Sequence, residues 1–285
     1  VKFLFGLFFF LTINLSAQNG MIPQGNSPIP GSDTLCPLSV VKNYVSPFGF
    51  PGKLKFFCCE LYKEWYADST LGQHLPARVQ RDCKIIFQDS AHAAVSVWLH
   101  DSITSRDYYF YLIKNKNWTV YAIRSLTMSE DAENELKKLD SIPEKDRGKA
   151  YTKLHKNSWQ FEYDNLKLWV SSDTSLSDYF QKNKKKFYEL QKLMVKKGYY
   201  GKNDSLVHKA LIDKKVIKLN QQLLLRNIEY DKNYPGCVFY LLGGINDNTV
   251  GYMYQPDPKK IPHITEKHYI YVRSLGNGWY VFKTT

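Results

Sequence analysis

His92, Ser96, Trp98 and His100 fall at even intervals along one short stretch. Period two places such residues on one face of a β-strand. Tyr109, Tyr111 and Tyr121 follow on a parity that shares this face if the neighbouring strands keep register. Apolar rings with polar tips suit a partly wet cleft for a small molecule or peptide. The same face serves equally well as the seat of a second domain, or as a surface through which two copies pair.

Catalytic signatures are absent from the sequence. There is no G-x-S-x-G, no phosphate-binding P-loop, no G-x-G-x-x-G and no H-E-x-x-H, and the Gly243-Gly244 and Gly276-Asn277-Gly278 runs read as bends and turns. Asp257, His263, Glu266 and His268 form the nearest approach to a metal-ligand cluster. Their irregular, Pro-rich setting fits exposed loop residues better than convergent ligands. His92 and His100 lie at opposite ends of one strand, too far apart to share an ion. No metal and no cofactor is expected, and the base rate favours a non-enzyme.

The five cysteines, Cys36, Cys58, Cys59, Cys83 and Cys237, match neither a zinc pattern nor a C-x-x-C redox motif. An odd number leaves at least one thiol unpaired within a chain. The pairing of the others is open, and buried small apolar side chains with one bridge at most describe them adequately.

Residues 1–17 read as a signal peptide of bacterial type, with Lys2 ahead of the apolar run Phe3 to Ile13 and Leu15-Ser16-Ala17 before a cleavage point at Gln18. The run is too short to span a bilayer. Export to the periplasm or beyond is therefore expected, with no transmembrane segment after cleavage. Residues 18–36, rich in Gly, Pro, Asn and Ser, read as a flexible leader. The formal charge of +12 is concentrated between Lys182 and Lys232, where Lys182, Lys184, Lys185, Lys186, Lys192, Lys196 and Lys197 share a helix with an apolar face. A solvated face explains these lysines, and no specific nucleic acid is expected as a partner.

At 285 residues, with 21 Tyr and 16 Phe, the chain is globular and has room for two cores. Residues 82–126 alternate apolar and polar positions, broken at 88–90, 101–105 and 114–117 by turn-forming residues, so they predict an antiparallel meander. A short helix over 37–45 and a longer one over 53–68 precede it, the latter spaced by Leu54, Phe57, Cys58, Leu61 and Trp65. Further helices are expected over 130–139, over 175–198 with Thr174 or Ser175 as cap, and over 205–226. Residues 150–170 fit either helix or strand. Four aromatic, β-branched runs from Cys237 to Thr285 predict a closing antiparallel sheet.

The stretches KLKFFCCELYKEWYA, AHAAVSVWL, DYYFYLIK and NWTVYAIRSL resemble the ketosteroid-isomerase-like, or nuclear-transport-factor-like, superfamily over residues 37–127. That resemblance implies a cone-shaped helix-plus-sheet domain, found in isomerases, dehydratases, hydrolases and non-catalytic binding or immunity modules alike. Its isomerase members use a carboxylate base, a tyrosine and a second acid. No named positions here carry that trio from the sequence alone. Residues 174–285, through YFQKNKKKFYELQKL and the later V-G-Y-x-Y and W-Y strands, resemble uncharacterised exported bacterial proteins of no known activity.

The expected fold class is thus α+β. A cone-shaped domain over 37–127 precedes a helical bridge over 128–173 and a second α+β domain over 174–285 that ends in an antiparallel sheet. The expected function is that of an exported, non-catalytic binding module for a peptide, glycan, small molecule or partner protein. The alternative is a small-molecule enzyme of ketosteroid-isomerase type, with its base in the N-terminal cone.

Overall fold

The computed structural model describes residues 35–285 except 60, 62–68, 103–104, 128, 149–150, 153–156, 200–203 and 246–247. The expected signal peptide, residues 1–17, and all but the end of the leader lie outside the described residues. Residues 34–285 form one compact unit. It is an α+β structure with two antiparallel sheets.

The first sheet is the meander. Strands β1 (Gln80–Gln88), β2 (His92–His100), β3 (Ser105–Lys114) and β4 (Trp118–Arg124) lie side by side in chain order. Each pair is antiparallel, and β2 meets β3 without interruption from His92 opposite Ile113 to His100 opposite Ser105. Alternation then decides the packing. Ala93, Val95, Val97 and Leu99 of β2, with Phe110 and Leu112 of β3, face helix α1 (Pro37–Val45). That helix starts with proline at its first turn, where a missing N–H costs nothing, and buries Val40, Val41, Tyr44 and Val45. The Tyr44 ring meets Phe110 edge-on at 5.5 Å.

Two local devices hold α1 in place. The short helix α2 (Leu71–His74) is closed by a capping box between Thr70 and Gln73. Its Gly72 sits against the backbone of α1, where an added Cβ would fall 2.1 Å from the Val45 carbonyl carbon. The sequence expectation of one helix over 53–68 needs correction at its start. Lys53–Phe56 is a single 3₁₀ turn, and Phe57 is extended and bridges Val120 in parallel. The apolar spacing there serves the edge of β4 as well as a helix; residues 60 and 62–68 of that span lie outside the described residues.

The middle of the chain is helical. Helix α3 spans Ser129–Ser141 and α4 spans Trp159–Trp169, which settles the ambiguous 150–170 region over those eleven positions in favour of a helix capped by Ser158. The long helix α5 (Asp173–Lys196) is capped by Ser172, whose side chain accepts from the Ser175 N–H, rather than by Thr174 or Ser175. It stops where Gly198 takes a left-handed φ of 67°. The expected helix over 205–226 is two, α6 (Asp204–Ile212) and α7 (Lys214–Gln222). Asp213 breaks them apart because its carboxylate accepts from the Lys215 and Val216 N–H groups and caps the second.

The second sheet contains β5 (Asn227–Glu229), β6 (Val238–Ile245), β7 (Asn248–Tyr254), β8 (Tyr269–Gly276) and β9 (Trp279–Thr284), in the order β5-β6-β7-β9-β8. The last strand is thus an inner one, buried at every position. Helix α5 lays Phe180 and Phe187 on Tyr252 and Trp279, with ring centroids 4.8–5.9 Å apart. The same buried cluster continues to Ala94, Tyr109, Tyr111 and Ala122 of the first sheet. The aromatic face of the meander therefore packs on the second sheet and α5.

Candidate functional site

Asp107 stands on β3 opposite Trp98 of β2, two residues before Tyr109 and on its side of the sheet. Tyr109 stands opposite Ser96. Asp173 opens α5 directly after the Ser172 cap, so its carboxylate sits where the helix dipole favours negative charge. Lys283 comes from the inner strand β9, between Val250 and Tyr271. Four elements thus deliver their polar side chains to one point.

At that point the Lys283 ammonium lies 2.8 Å from Asp107 Oδ2 and 2.9 Å from Asp173 Oδ1. The Tyr109 hydroxyl donates to Asp173 Oδ1 at 2.7 Å, and the Ser96 hydroxyl donates to Asp173 Oδ2 at 3.3 Å. The backbone N–H of Asp173 donates to Asp107 Oδ2 at 3.1 Å, and Lys283 also reaches the Ser171 carbonyl at 3.4 Å. The three charged side chains keep between 4% and 10% of their exposure. Burying such charges is costly unless they are paired and hydrogen-bonded, and here they are.

One ammonium shared by two carboxylates leaves an excess of negative charge. Burial pushes the Asp173 carboxyl up to about 6 and the Asp107 charge adds to this, against Lys283 and Tyr109, which stabilise the anion. Burial opposes the charge on Lys283, but Asp173 and Asp107 override it and hold the ammonium above the ordinary lysine range. Tyr109, fully buried beside both carboxylates, is raised well above an ordinary tyrosine and stays a hydroxyl donor.

A cleft of about 140 Å³ opens onto this group between the sheets. Asp82 and Lys84 of β1, Ser96 and Trp98 of β2, Asp173 of α5 and Arg273 of β8 line it. A second hollow of about 20 Å³, room for little more than a water, lies on the far side against Asp107 and Lys283. The larger cleft combines an aromatic ring, hydroxyls and charges of both signs. It can hold a small polar molecule, with carboxylate oxygens to accept from it and a guanidinium to donate to it.

The residues expected from the sequence divide between this cleft and elsewhere. Ser96 and Tyr109 meet at Asp173. Trp98 lines the cleft, donates its indole N–H to the Ser105 hydroxyl at 2.7 Å and stacks on His100 with centroids 3.6 Å apart. His100 turns instead to Asp82 at 2.9 Å. His92 lies at the exposed end of β2, 3.6 Å from Asp89. Tyr111 donates to the Ile270 carbonyl at 2.9 Å and Tyr121 to the Glu266 carboxylate at 3.2 Å, so both join the first sheet to the β8 region.

No motif or local spacing in the sequence marks Asp107, Asp173 and Lys283 as a group. A signal for the last does exist, since Lys283 shares strand parity with Trp279 and Val281, which marks it as facing inward. Among the described residues no group of three His, Cys, Asp or Glu side chains could hold a metal ion. Asp257 caps the 3₁₀ turn Pro258–Lys260, and Glu266 is engaged by Tyr121. No helix among the described residues is long and apolar enough to cross a membrane. Compared with known proteins, the chain matches no family model, no curated protein and no solved structure.

Proposed function

We propose that the chain is an exported binding module that holds a small hydroxyl-bearing ligand, such as a single sugar unit of a glycan, in the cleft between its two sheets. One observation carries this reading: a cleft of about 140 Å³ is floored by the Asp173 carboxylate and walled by Trp98 and Arg273. Asp173 Oδ2 receives a single 3.3 Å hydrogen bond from Ser96, which leaves lone-pair capacity for a ligand hydroxyl. Trp98 supplies an apolar flat surface, and Arg273 and Lys84 supply donors for ring and hydroxyl oxygens. The export reading rests on residues 1–17 and places the module in the periplasm or outside the cell. The resemblance of residues 37–127 to a superfamily rich in non-catalytic modules agrees with this assignment.

The test is calorimetric titration of the chain with a panel of monosaccharides and short glycans. Saturable binding by at least one sugar, weakened at least tenfold in Trp98→Ala and in Arg273→Ala, supports the reading. Binding that both variants retain unchanged, or no binding across the panel, refutes it.

A second reading rests on the Asp173 carboxyl, pushed up to about 6 beside Tyr109 and Asp107. The resemblance implies a carboxylate, a tyrosine and a second acid for isomerase members; Asp107 and Tyr109 lie within the resembling residues 37–127, whereas Asp173 comes from α5 beyond them. Proton abstraction from a small carbonyl compound would then be the chemistry. It ranks second because Lys283 engages both carboxylates at hydrogen-bonding distance. Turnover of a ketone substrate that disappears in Asp173→Asn would reverse this order.

A further inference from the structure

Cys58 and Cys59 place their sulfur atoms 2.8 Å apart, inside van der Waals contact, although both are thiols. The backbone imposes this approach. Phe57 bridges Val120 at the edge of β4, and the Cys58 N–H donates to the Val120 carbonyl at 3.1 Å, so Cys58 is held to the sheet. Cys59 then takes a left-handed φ of 65°, a conformation that residues with a side chain seldom adopt. Adjacent side chains of an extended segment would diverge, whereas this turn brings the two thiols to one side. Cys58 is half-buried and Cys59 exposed, so a reagent reaches Cys59 first.

We propose that Cys58 and Cys59 form a reversible redox pair that closes to a disulfide between neighbouring residues. The oxidant is a low-molecular-weight disulfide. The Cys59 thiolate attacks one sulfur of that reagent, forms a mixed disulfide and expels one thiolate. The Cys58 sulfur then attacks the Cys59 sulfur and expels the second, and the two protons released by the cysteines end on the two expelled thiols. Two cysteine thiols are oxidised and one external disulfide is reduced.

Adjacent Cα atoms lie about 3.8 Å apart, below the ~4.4–6.8 Å usual for a disulfide, so the closed ring is strained and readily reduced. Strain of this sort belongs to labile, regulatory bridges and not to structural ones. The remaining cysteines are separately placed. Cys36 contacts the Ser39 hydroxyl at 3.1 Å, Cys83 is half-buried on β1, and Cys237 is buried against the Lys260 carbonyl.

The test equilibrates the folded full chain in glutathione buffers from fully reduced to fully oxidised, then alkylates free thiols and maps tryptic peptides by mass. Residues 56–63 form one such peptide, FFCCELYK, with both cysteines and no others. The expected result is a change from two labels to none, with the unlabelled peptide lighter by two hydrogens and restored by mild reduction. Cys59→Ser, which alters an exposed side chain, should abolish that species and leave Cys58 labelled or glutathione-bound. Two labels throughout, a lasting glutathione adduct on the wild-type pair, or a bridge from either residue to Cys36, Cys83 or Cys237 overturns the proposal.

Discussion

Lys283 and Asp107 stand 176 positions apart in the chain, and their side chains meet at 2.8 Å in a largely buried site. This contact ties the last strand of the second sheet to the third strand of the first. Removal of the ammonium leaves two buried carboxylates facing each other. Lys283→Met should therefore cost about 3–5 kcal/mol in urea unfolding, the range for breaking a buried pair from one side. The double variant Asp107→Asn with Lys283→Met should recover part of that loss. Additive losses would mean that the two groups do not interact.

The site also sets a pH dependence. Asp173, pushed up to about 6, lies above the ~3.9 of an unfolded aspartate. The folded chain therefore holds a proton that the unfolded chain releases over that interval. The contribution of this group to stability is fully present below about pH 4 and is lost as the pH rises through about 6. The loss is on the order of 3 kcal/mol. Asp89 and Asp213, held low first by backbone N–H groups, act in the opposite sense and favour the fold until the pH falls through their lowered values. Denaturant midpoints of wild type and Asp173→Asn should diverge between pH 4 and 6, with the variant gaining relative stability as the pH rises. Parallel curves would contradict the assignment.

Tyr109→Phe removes the 2.7 Å hydrogen bond to Asp173 and leaves the ring in place. The predicted loss is about 1–3 kcal/mol, the cost of leaving a buried polar group short of a partner. The Asp173 carboxyl should titrate at still higher pH, because Tyr109 is one of the groups that hold it down. Carbon-13 spectra of labelled aspartate would show this shift. An unchanged titration would place Tyr109 outside the network.

Gly72 offers a test of the helix side of the first sheet. A Cβ at this position would meet backbone atoms of Val45 and Ser46 at 2.1–2.3 Å, and no side-chain rotation can relieve that clash. Gly72→Ala should destabilise the fold by about 1–3 kcal/mol by driving α2 from α1. A neutral effect in thermal unfolding would show that the two helices are not in contact in solution.

Much of the architecture was legible because it depends on short-range pattern. Alternation and turn residues marked β1 to β4 and β6 to β9, and the shared parity of Ser96 with Tyr109 and Tyr111 held once β2 and β3 paired in register. The three-residue strand β5 carries too little pattern to be seen. The Lys53 start looked helical because the spacing of Leu54, Phe57 and Cys58 does not register that Phe57 turns to the edge of β4. The site itself was half visible. Strand parity singles out Ser96, Trp98 and Tyr109, but Asp173 lies 66 positions beyond Asp107 and Lys283 a further 110. Only the packing of the two sheets brings such distant residues together, and no local spacing encodes it.

Nuclear magnetic resonance reads the cleft directly. The indole N–H of Trp98 and the guanidinium N–H of Arg273 both report on its walls. On titration with the monosaccharide panel, both resonances should shift together and saturate for at least one sugar, and Asp173→Asn should weaken that saturation. Shifts confined to residues outside the cleft, or no saturable shift of either reporter with any sugar, would contradict binding in the cleft.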